Sequence, residues 1–220
     1  MPQYMLKHIY PMIGSLGEPF TASNTGEATT VPHVDGWKSA LTATSEAQIA
    51  RVDFNGGLYL DIDKIKTVKW RVKFGAMPSG TDFYFGLATA NASAVDDITA
   101  RLLFQLESGY AITVRSDDGT TDSGDVATPW TAASGEQWEF VADFASGIKH
   151  AIPSYLSKTG KDAIQIFGGK VGSGRQPLGA LNISLENLTG GLQLYSRLDK
   201  ASGTGLGDAT IQLIEIEMAR

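Results

Sequence analysis

The stretch Lys66-Thr-Val-Lys-Trp-Arg-Val-Lys-Phe74 alternates apolar and charged side chains along its length. Successive side chains of a β-strand point to opposite faces, so the apolar members share one face: Val68, Trp70, Val72 and Phe74. The opposite face carries Lys69, Arg71 and Lys73. This pattern predicts an antiparallel strand with one face in the core and the other towards water.

Similar runs recur through the chain and predict further strands at residues 49–54, 58–62, 82–88, 101–107, 110–115, 137–144, 163–167, 182–185, 191–198 and 211–217. A phase slip at Leu213-Ile214 predicts a β-bulge in the last of these. Ser108-Gly109 has the spacing of a tight hairpin, and Asn55-Gly56-Gly57 and Phe167-Gly168-Gly169 predict turns. Only residues 93–100 and 153–157 favour short helices. About eleven strands predict an all-β, two-sheet antiparallel sandwich of the jelly-roll kind.

The chain divides into two parts at about residue 36. Residues 37–220 are expected to form the sandwich domain, whereas residues 1–36 contain Pro11, Pro19 and Pro32 and a small polar stretch, which predicts an extended N-terminal arm. Several apolar residues in the arm are expected to bind a partner: Tyr4, Leu6, Ile9, Tyr10, Met12, Ile13 and Phe20. An edge strand of the same domain is the alternative interpretation.

Composition excludes several classes of function. The 220 residues contain no cysteine, which excludes disulfide scaffolds, thiolate zinc sites and cysteine nucleophiles. A net charge of −6 and the absence of a basic run argue against nucleic acid as a partner. No apolar run approaches the roughly 20 residues of a membrane span, and the proline-broken N-terminus is a poor signal peptide. We therefore expect no membrane partner.

Three further segments carry a family resemblance: Phe83-Tyr-Phe-Gly-Leu-Ala88, Asp117-Asp-Gly-Thr-Thr-Asp-Ser-Gly-Asp125, and Gly191-Leu-Gln-Leu-Tyr195 followed by Lys200-Ala-Ser-Gly-Thr-Gly205. Together they resemble the laminin-G/concanavalin A-like jelly rolls of tailed-phage virion structural proteins, over residues 45–218. The resemblance implies a capsid decoration (cement) protein, commonly trimeric, bound to the major capsid protein on the surface of a virion made in the bacterial cytoplasm. Residues 1–36 and 145–161 depart from the pattern.

The acidic loop at Asp117, Asp118, Asp122 and Asp125 is a candidate calcium site, because clustered oxygen ligands on a glycine-containing loop suit a cation with six to eight ligands. An acidic hairpin tip that binds nothing is the alternative, since the spacing is not that of an EF-hand. No cofactor is otherwise required.

No catalytic constellation stands out, so we expect a protein that is not an enzyme. Glu215 and Glu217 share a strand face about 7 Å apart, as in some glycosidase pairs, but solvent-facing glutamates explain them better. No histidine has metal-ligand spacing, and no serine lies in a G-x-S-x-G elbow.

Two tryptophans suggest a contact surface. Trp70 and Trp138 alternate with apolar residues and are expected in the core, whereas Trp37 and Trp130 lie in loop-like sequence. These two are expected to pack against a neighbouring subunit or to stack on a sugar ring. The alternative to the virion role is therefore a glycan-binding or host-receptor-binding domain of a phage fibre.

Overall fold

A computed structural model of the chain describes residues 5–11, 20–55, 60–145, 160–179, 182–203 and 205–219. Sixteen strands lie in these residues. In chain order they are β1 (Met5–Pro11), β2 (Thr21–Thr25), β3 (Thr29–His33), β4 (Gly36–Ala40), β5 (Gln48–Asp53), β6 (Leu60–Asp61), β7 (Ile65–Phe74), β8 (Thr81–Ala88), β9 (Arg101–Leu106), β10 (Ala111–Asp117), β11 (Val126–Thr131), β12 (Gln137–Asp143), β13 (Gln165–Lys170), β14 (Gln176–Pro177), β15 (Gly191–Lys200) and β16 (Asp208–Ala219).

The strands form two antiparallel sheets that face each other. Sheet 1 has the order β14-β13-β12-β7-β16-β4-β3, and β1 pairs with the remaining length of β16. Sheet 2 has the order β11-β10-β9-β8-β15-β5-β2, and β6 pairs with the start of β15. Strands close in space are often far apart in sequence, as in β7 beside β16. The predicted two-sheet antiparallel sandwich is therefore confirmed.

Aromatic rings from both sheets fill the centre of the sandwich. Trp70 and Phe140 come from sheet 1, whereas Phe85 and Phe104 come from sheet 2. The Phe104 ring centroid lies 5.6 Å from that of Trp70, 5.1 Å from that of Phe85 and 4.9 Å from that of Phe140. None of the four side chains is exposed by more than 1%. The alternating apolar positions thus face inward, as the sequence predicts.

The predicted bulge in the last strand is present one residue early. The register between β16 and β7 shifts between Ile211 and Leu213, so Gln212 is the extra residue. The bulge lets Leu213 stand beside Arg71 and restores the inward direction of Ile214 and Ile216.

Two local predictions are wrong. Gly168 and Gly169 do not form a turn but continue β13, where they pair with Phe140 and Glu139 of β12. Residue 168 is glycine because a Cβ there would lie 2.8 Å from ring carbons of Trp130. Residues 182–185 form no strand. The helix expected at 93–100 is a single 3-10 turn at Val95–Asp97, and the one expected at 153–157 lies outside the described residues.

The described parts of residues 1–36 are built into the sandwich and do not form a free arm. Residues Met5–Pro11 pair with β16, residues Thr21–Thr25 pair with β5, and residues Thr29–His33 pair with β4. The edge-strand alternative therefore describes this segment better. The prolines suggested an arm without regular structure, but Pro11 and Pro32 lie in strands. Proline is tolerated in a β-sheet at edge strands and at strand ends.

No helix among the described residues has the length and apolar character needed to span a bilayer.

Candidate functional site

A cleft of about 630 Å³ opens on the outer face of sheet 2. Its floor is set by strand register: Asp199 on β15 stands opposite Asp82 on β8, and Arg197 stands opposite Tyr84, which in turn stands opposite Gln105 on β9. Residues directly opposite on neighbouring strands point to the same face with Cβ atoms about 5 Å apart. The pairing of three strands therefore brings five polar side chains into one patch.

One wall of the cleft is the connection between β8 and β9. Arg51 donates a hydrogen bond to the Ala92 carbonyl at 3.0 Å, and Arg197 donates to the carbonyls of Ala92 at 3.2 Å and Ser93 at 3.0 Å. A small apolar cluster underneath contains Ala88, Val95, Ile98, Leu103 and Tyr195. The wall is fixed both by packing and by hydrogen bonds, which preorganises the cleft.

Arg101 holds the same connection from below. Its side chain is 2% exposed, and Nη1 donates to the carbonyls of Val95 at 3.2 Å, Asp96 at 3.2 Å and Ile98 at 2.6 Å. Nη2 faces Asp122, with a 3.3 Å contact to a carboxylate oxygen. Arg101 therefore ties the wall of the cleft to the acidic loop.

The acidic loop is an arginine-held network. Arg101 Nη2 lies 3.4 Å from Asp117, and Arg115 lies 3.5 Å from Asp122 and 3.3 Å from Asp125. A calcium ion would have to displace both guanidinium groups to gather these oxygens. Nowhere in the described ranges do three or more His, Asp or Glu side chains converge as metal ligands. The structure thus does not assemble the predicted calcium site.

Asp118, the fourth acid of that prediction, turns away from the other three. Its Oδ1 accepts hydrogen bonds from the backbone N–H groups of Thr120 and Thr121, and its Oδ2 accepts two from Asn187, at 3.0 and 2.9 Å. Burial opposes ionisation of Asp118, but these donors outweigh it and hold its pKa below the ordinary value. Asp118 shapes the loop and is not available to a cation.

The two acids on the cleft floor, Asp82 and Asp199, have pKa values shifted upward, in the direction opposite to the shift of Asp118. Burial raises the pKa of Asp82, and the nearby charge of Asp199 raises it further, whereas the Gln105 side chain opposes the shift. Burial also raises the pKa of Asp199, against the attraction of Arg197, whose Nε lies 2.5 Å from it. Burial raises the pKa of the Tyr84 hydroxyl, to which Gln105 donates at 3.2 Å. Perturbed titratable groups gathered in a cleft are typical of a functional site.

The substitution Asp82→Asn is expected to stabilise the protein at neutral pH. Because the folded state raises the pKa of Asp82, folding binds a proton more tightly, and stability is lost as pH rises from the unfolded carboxyl pKa, about 3.9, through the raised value. The variant should therefore have the higher free energy of unfolding at pH 7 and no advantage at about pH 3. Urea denaturation at both pH values measures this, and a gain that is independent of pH would contradict it.

The two tryptophans expected at a contact surface are core residues, so that prediction is wrong. Trp37 lies in β4, is 5% exposed and meets Phe20 edge to face at 4.6 Å. Trp130 lies in β11, is 4% exposed and packs over Gly168. Neither ring can stack on a sugar or on another subunit in this arrangement.

The N-terminal apolar residues whose side chains the structure describes do not form one surface. Tyr4, Met12 and Ile13 lie outside the described residues, and Leu6 is placed only as the partner of Met218 in β1. Tyr10 and Phe20 pack on each other with centroids 5.3 Å apart, against the core. Ile9 is 52% exposed and faces solvent, unlike Tyr10 and Phe20.

Glu215 and Glu217 lie on the outer face of sheet 1, where Lys7 pairs with both, at 2.7 and 3.8 Å. This arrangement supports their interpretation as surface glutamates. The cleft residues were not predicted from the sequence, because the strand at 191–198 was inferred from its apolar members alone and ended before Asp199. The alternation Tyr195, Arg197, Asp199 in β15 was the available signal.

Comparison with known proteins identifies the fold. No family model matches the sequence, and no curated protein matches it. Peanut lectin bound to a nine-residue peptide has a TM-score of 0.62 at 11% identity, over 98% of each chain. A seed lectin of Lotus tetragonolobus has a TM-score of 0.65 at 7% identity, over 98% of this chain and 99% of the lectin. A GH16 protein from a Bacteroides ovatus mixed linkage glucan locus has a TM-score of 0.59 at 8% identity, over 95% and 99%.

Identities this low show the fold alone. The virion role, the trimer and the major capsid protein as partner stay predictions. The chain has the concanavalin A-like jelly-roll fold that lectins and glucanases share.

Proposed function

We propose that the chain is a carbohydrate-binding protein without catalytic activity and that the cleft on sheet 2 holds the glycan. The observation that carries the proposal is the convergence of Asp82, Tyr84, Gln105, Arg197 and Asp199 on one preformed cleft. Small-ligand sites typically have volumes of about 300–1,000 Å³ and a few polar groups that fix orientation.

The chemistry of the lining suits a polyol. Carboxylates accept hydrogen bonds, whereas the Tyr84 hydroxyl and the Gln105 amide can both donate and accept them, so neighbouring sugar hydroxyls find partners of either kind. The ring of Tyr84 adds an apolar surface for a sugar C–H face. The fold shared with two seed lectins is consistent with this proposal, although fold alone does not assign function.

A blocking substitution tests the location. Ala94 is exposed and lines the cleft, so Ala94→Trp should fill it without disturbing the core. Ala133 is also exposed but lies in the β11–β12 connection, which makes Ala133→Trp the matched control. We expect the wild-type chain to bind a defined set on a glycan array. Ala94→Trp should weaken that binding at least about tenfold, because the ring would keep the glycan from at least one hydrogen bond to a charged group. Isothermal titration calorimetry measures the change in affinity.

Two results would overturn the proposal. An array on which the wild-type chain binds no glycan reproducibly would remove the function, and equal affinities for the wild type and Ala94→Trp would remove the site. Loss of binding in Ala133→Trp would show that the effect of a surface tryptophan is not specific to the cleft.

A further inference from the structure

The residues that line the cleft on sheet 2 have an excess of negative charge. Four carboxylates face three cations there: Asp82, Asp96, Asp125 and Asp199 against Arg115, Arg197 and Lys200. The whole chain has a net charge of −6, so the surrounding protein does not offset this excess. The cleft is therefore better suited to a cationic ligand group than to an anionic one.

Each of the three cations is already engaged. Arg197 Nε lies 2.5 Å from Asp199, and Arg115 Nη1 lies 2.7 Å from Asp96. The Nζ of Lys200 points into the β15–β16 connection, where it donates to two backbone carbonyls at 3.1 Å each. None of these groups is left to neutralise another carboxylate.

Asp82 is the acid without a counter-ion. No Lys, Arg or His in the described ranges lies within ion-pair distance of it, and its charged neighbour is the carboxylate of Asp199 across the strand pair. It is partly buried on the cleft floor. A carboxylate that is partly desolvated beside a second carboxylate gains more from a cation than an exposed acid does.

The number of acceptor oxygens on the cleft floor decides which kind of cation fits there. Calcium needs six to eight oxygen ligands, and magnesium needs an octahedron, which two carboxylates on a strand pair do not supply. An ammonium group carries three N–H donors and needs only three acceptors. Asp82, Asp199 and the Tyr84 hydroxyl provide acceptors on the same face of adjacent strands.

We propose that the cleft recognises glycans with a free amino group and that Asp82 is the counter-ion of the ammonium. This inference rests on the proposed carbohydrate-binding function and narrows its ligand to amino sugars that are not N-acylated. The sugar hydroxyls are then held by Gln105 and the remaining oxygens of the cleft.

Chito-oligosaccharides of one length, either fully deacetylated or fully N-acetylated, provide a matched pair of probes, because they differ only at the nitrogen. Titration at about pH 6 keeps an amine of this class protonated. We expect the deacetylated oligomer to bind the full chain roughly tenfold more tightly than the acetylated one, as for a hydrogen bond to a charged group. Asp82→Asn should abolish this preference. Glu27→Gln, which removes the same charge at an exposed position outside the cleft, should keep it.

The outcomes separate this inference from the function on which it rests. Equal affinity for the two oligomers, or a preference for the acetylated one, overturns the amine assignment and leaves glycan binding in place. Absence of binding to any glycan overturns both. If a linear polyamine binds as tightly as the deacetylated oligomer, the cleft recognises ammonium groups without the sugar, which also overturns the assignment. Urea denaturation of Asp82→Asn at the pH of the titration shows whether the variant is folded, which separates loss of the preference from unfolding.

Discussion

Arg101→Met is expected to lower the free energy of unfolding by about 3 kcal/mol or more, because several buried backbone carbonyls lose their hydrogen-bond donor at once. The guanidinium is the common partner of three backbone carbonyls in the β8–β9 connection and of Asp117 and Asp122 in the acidic loop. Methionine fills much of the same volume but satisfies none of these groups. The buried carbonyls of Val95 and Ile98 would then lack a donor, whereas Asp117 and Asp122, whose side chains are 18% and 42% exposed, can turn to water.

Urea denaturation measures the effect, with Lys64→Ala as the control. Lys64 pairs with Asp61 at 3.6 Å, but both side chains are about half exposed, so its loss should cost no more than about 0.5 kcal/mol. A change below about 1 kcal/mol in Arg101→Met would mean that the connection finds other partners and that Arg101 does not hold it.

The same substitution should weaken the proposed ligand site. Arg101 fixes the carbonyls of Val95 and Asp96, and both residues line the cleft. If the wall is loosened, the ligand must order it on binding, which lowers affinity without removing a contact. Binding to Arg101→Met, compared with binding to Lys64→Ala at a temperature where both are folded, measures this contribution.

Gly86→Ala is expected to cost about 3 kcal/mol or more, because a side chain at this position has no free space. Gly86 lies in β8 with φ of +152°, and a Cβ would stand 2.1 Å from the backbone oxygen of Leu102 and 3.1 Å from Leu103 Cα. Backbone atoms of a central strand cannot move aside as a flexible side chain would. The substitution must therefore separate β8 from β9 locally or change the register.

Gly109→Ala is the matched control for backbone strain. Gly109 has φ of +94° in the β9–β10 hairpin, but no atom lies within 4 Å of its added Cβ. The free energy of unfolding of Gly109→Ala should fall by only about 1–2 kcal/mol, the cost of placing alanine at a positive φ. Equal losses of stability in the two variants would show that positive φ, and not the close approach of β9, explains why residue 86 is glycine.

Most of the sandwich could be predicted from side-chain alternation. Strands β7, β10 and β12 have buried residues at every second position, and such a period of two is typical of a half-buried strand. The hairpin at Ser108-Gly109 was predicted in the right place, but its loop is one residue longer than the two expected, because Leu106 pairs with Ile112 and Glu107 with Ala111, which leaves Tyr110 in the loop as well.

Other segments could not be predicted because their structure depends on distant partners. β1 is a strand since β16, about 200 residues later, offers it an unpaired edge. Gly168 is extended and not in a turn because it pairs with Phe140 of β12, and it is glycine because the ring of Trp130 occupies the place of a Cβ. The sequence around Trp37 is typical of a loop, but the residue lies in β4 because that segment pairs with β3 on one side and β16 on the other.

The sequence by itself determined the all-β class, the inward face of each strong strand and the absence of cysteine chemistry, since all three depend on residue type and local spacing. Only the tertiary structure decided which strands are neighbours, and with them the cleft: Asp82 and Asp199 lie 117 positions apart and meet through the pairing of β8 with β15. It also decided that the acidic loop is bound by Arg101 and Arg115. The partner of a charge depends on long-range register, which the alternation of a single strand does not encode.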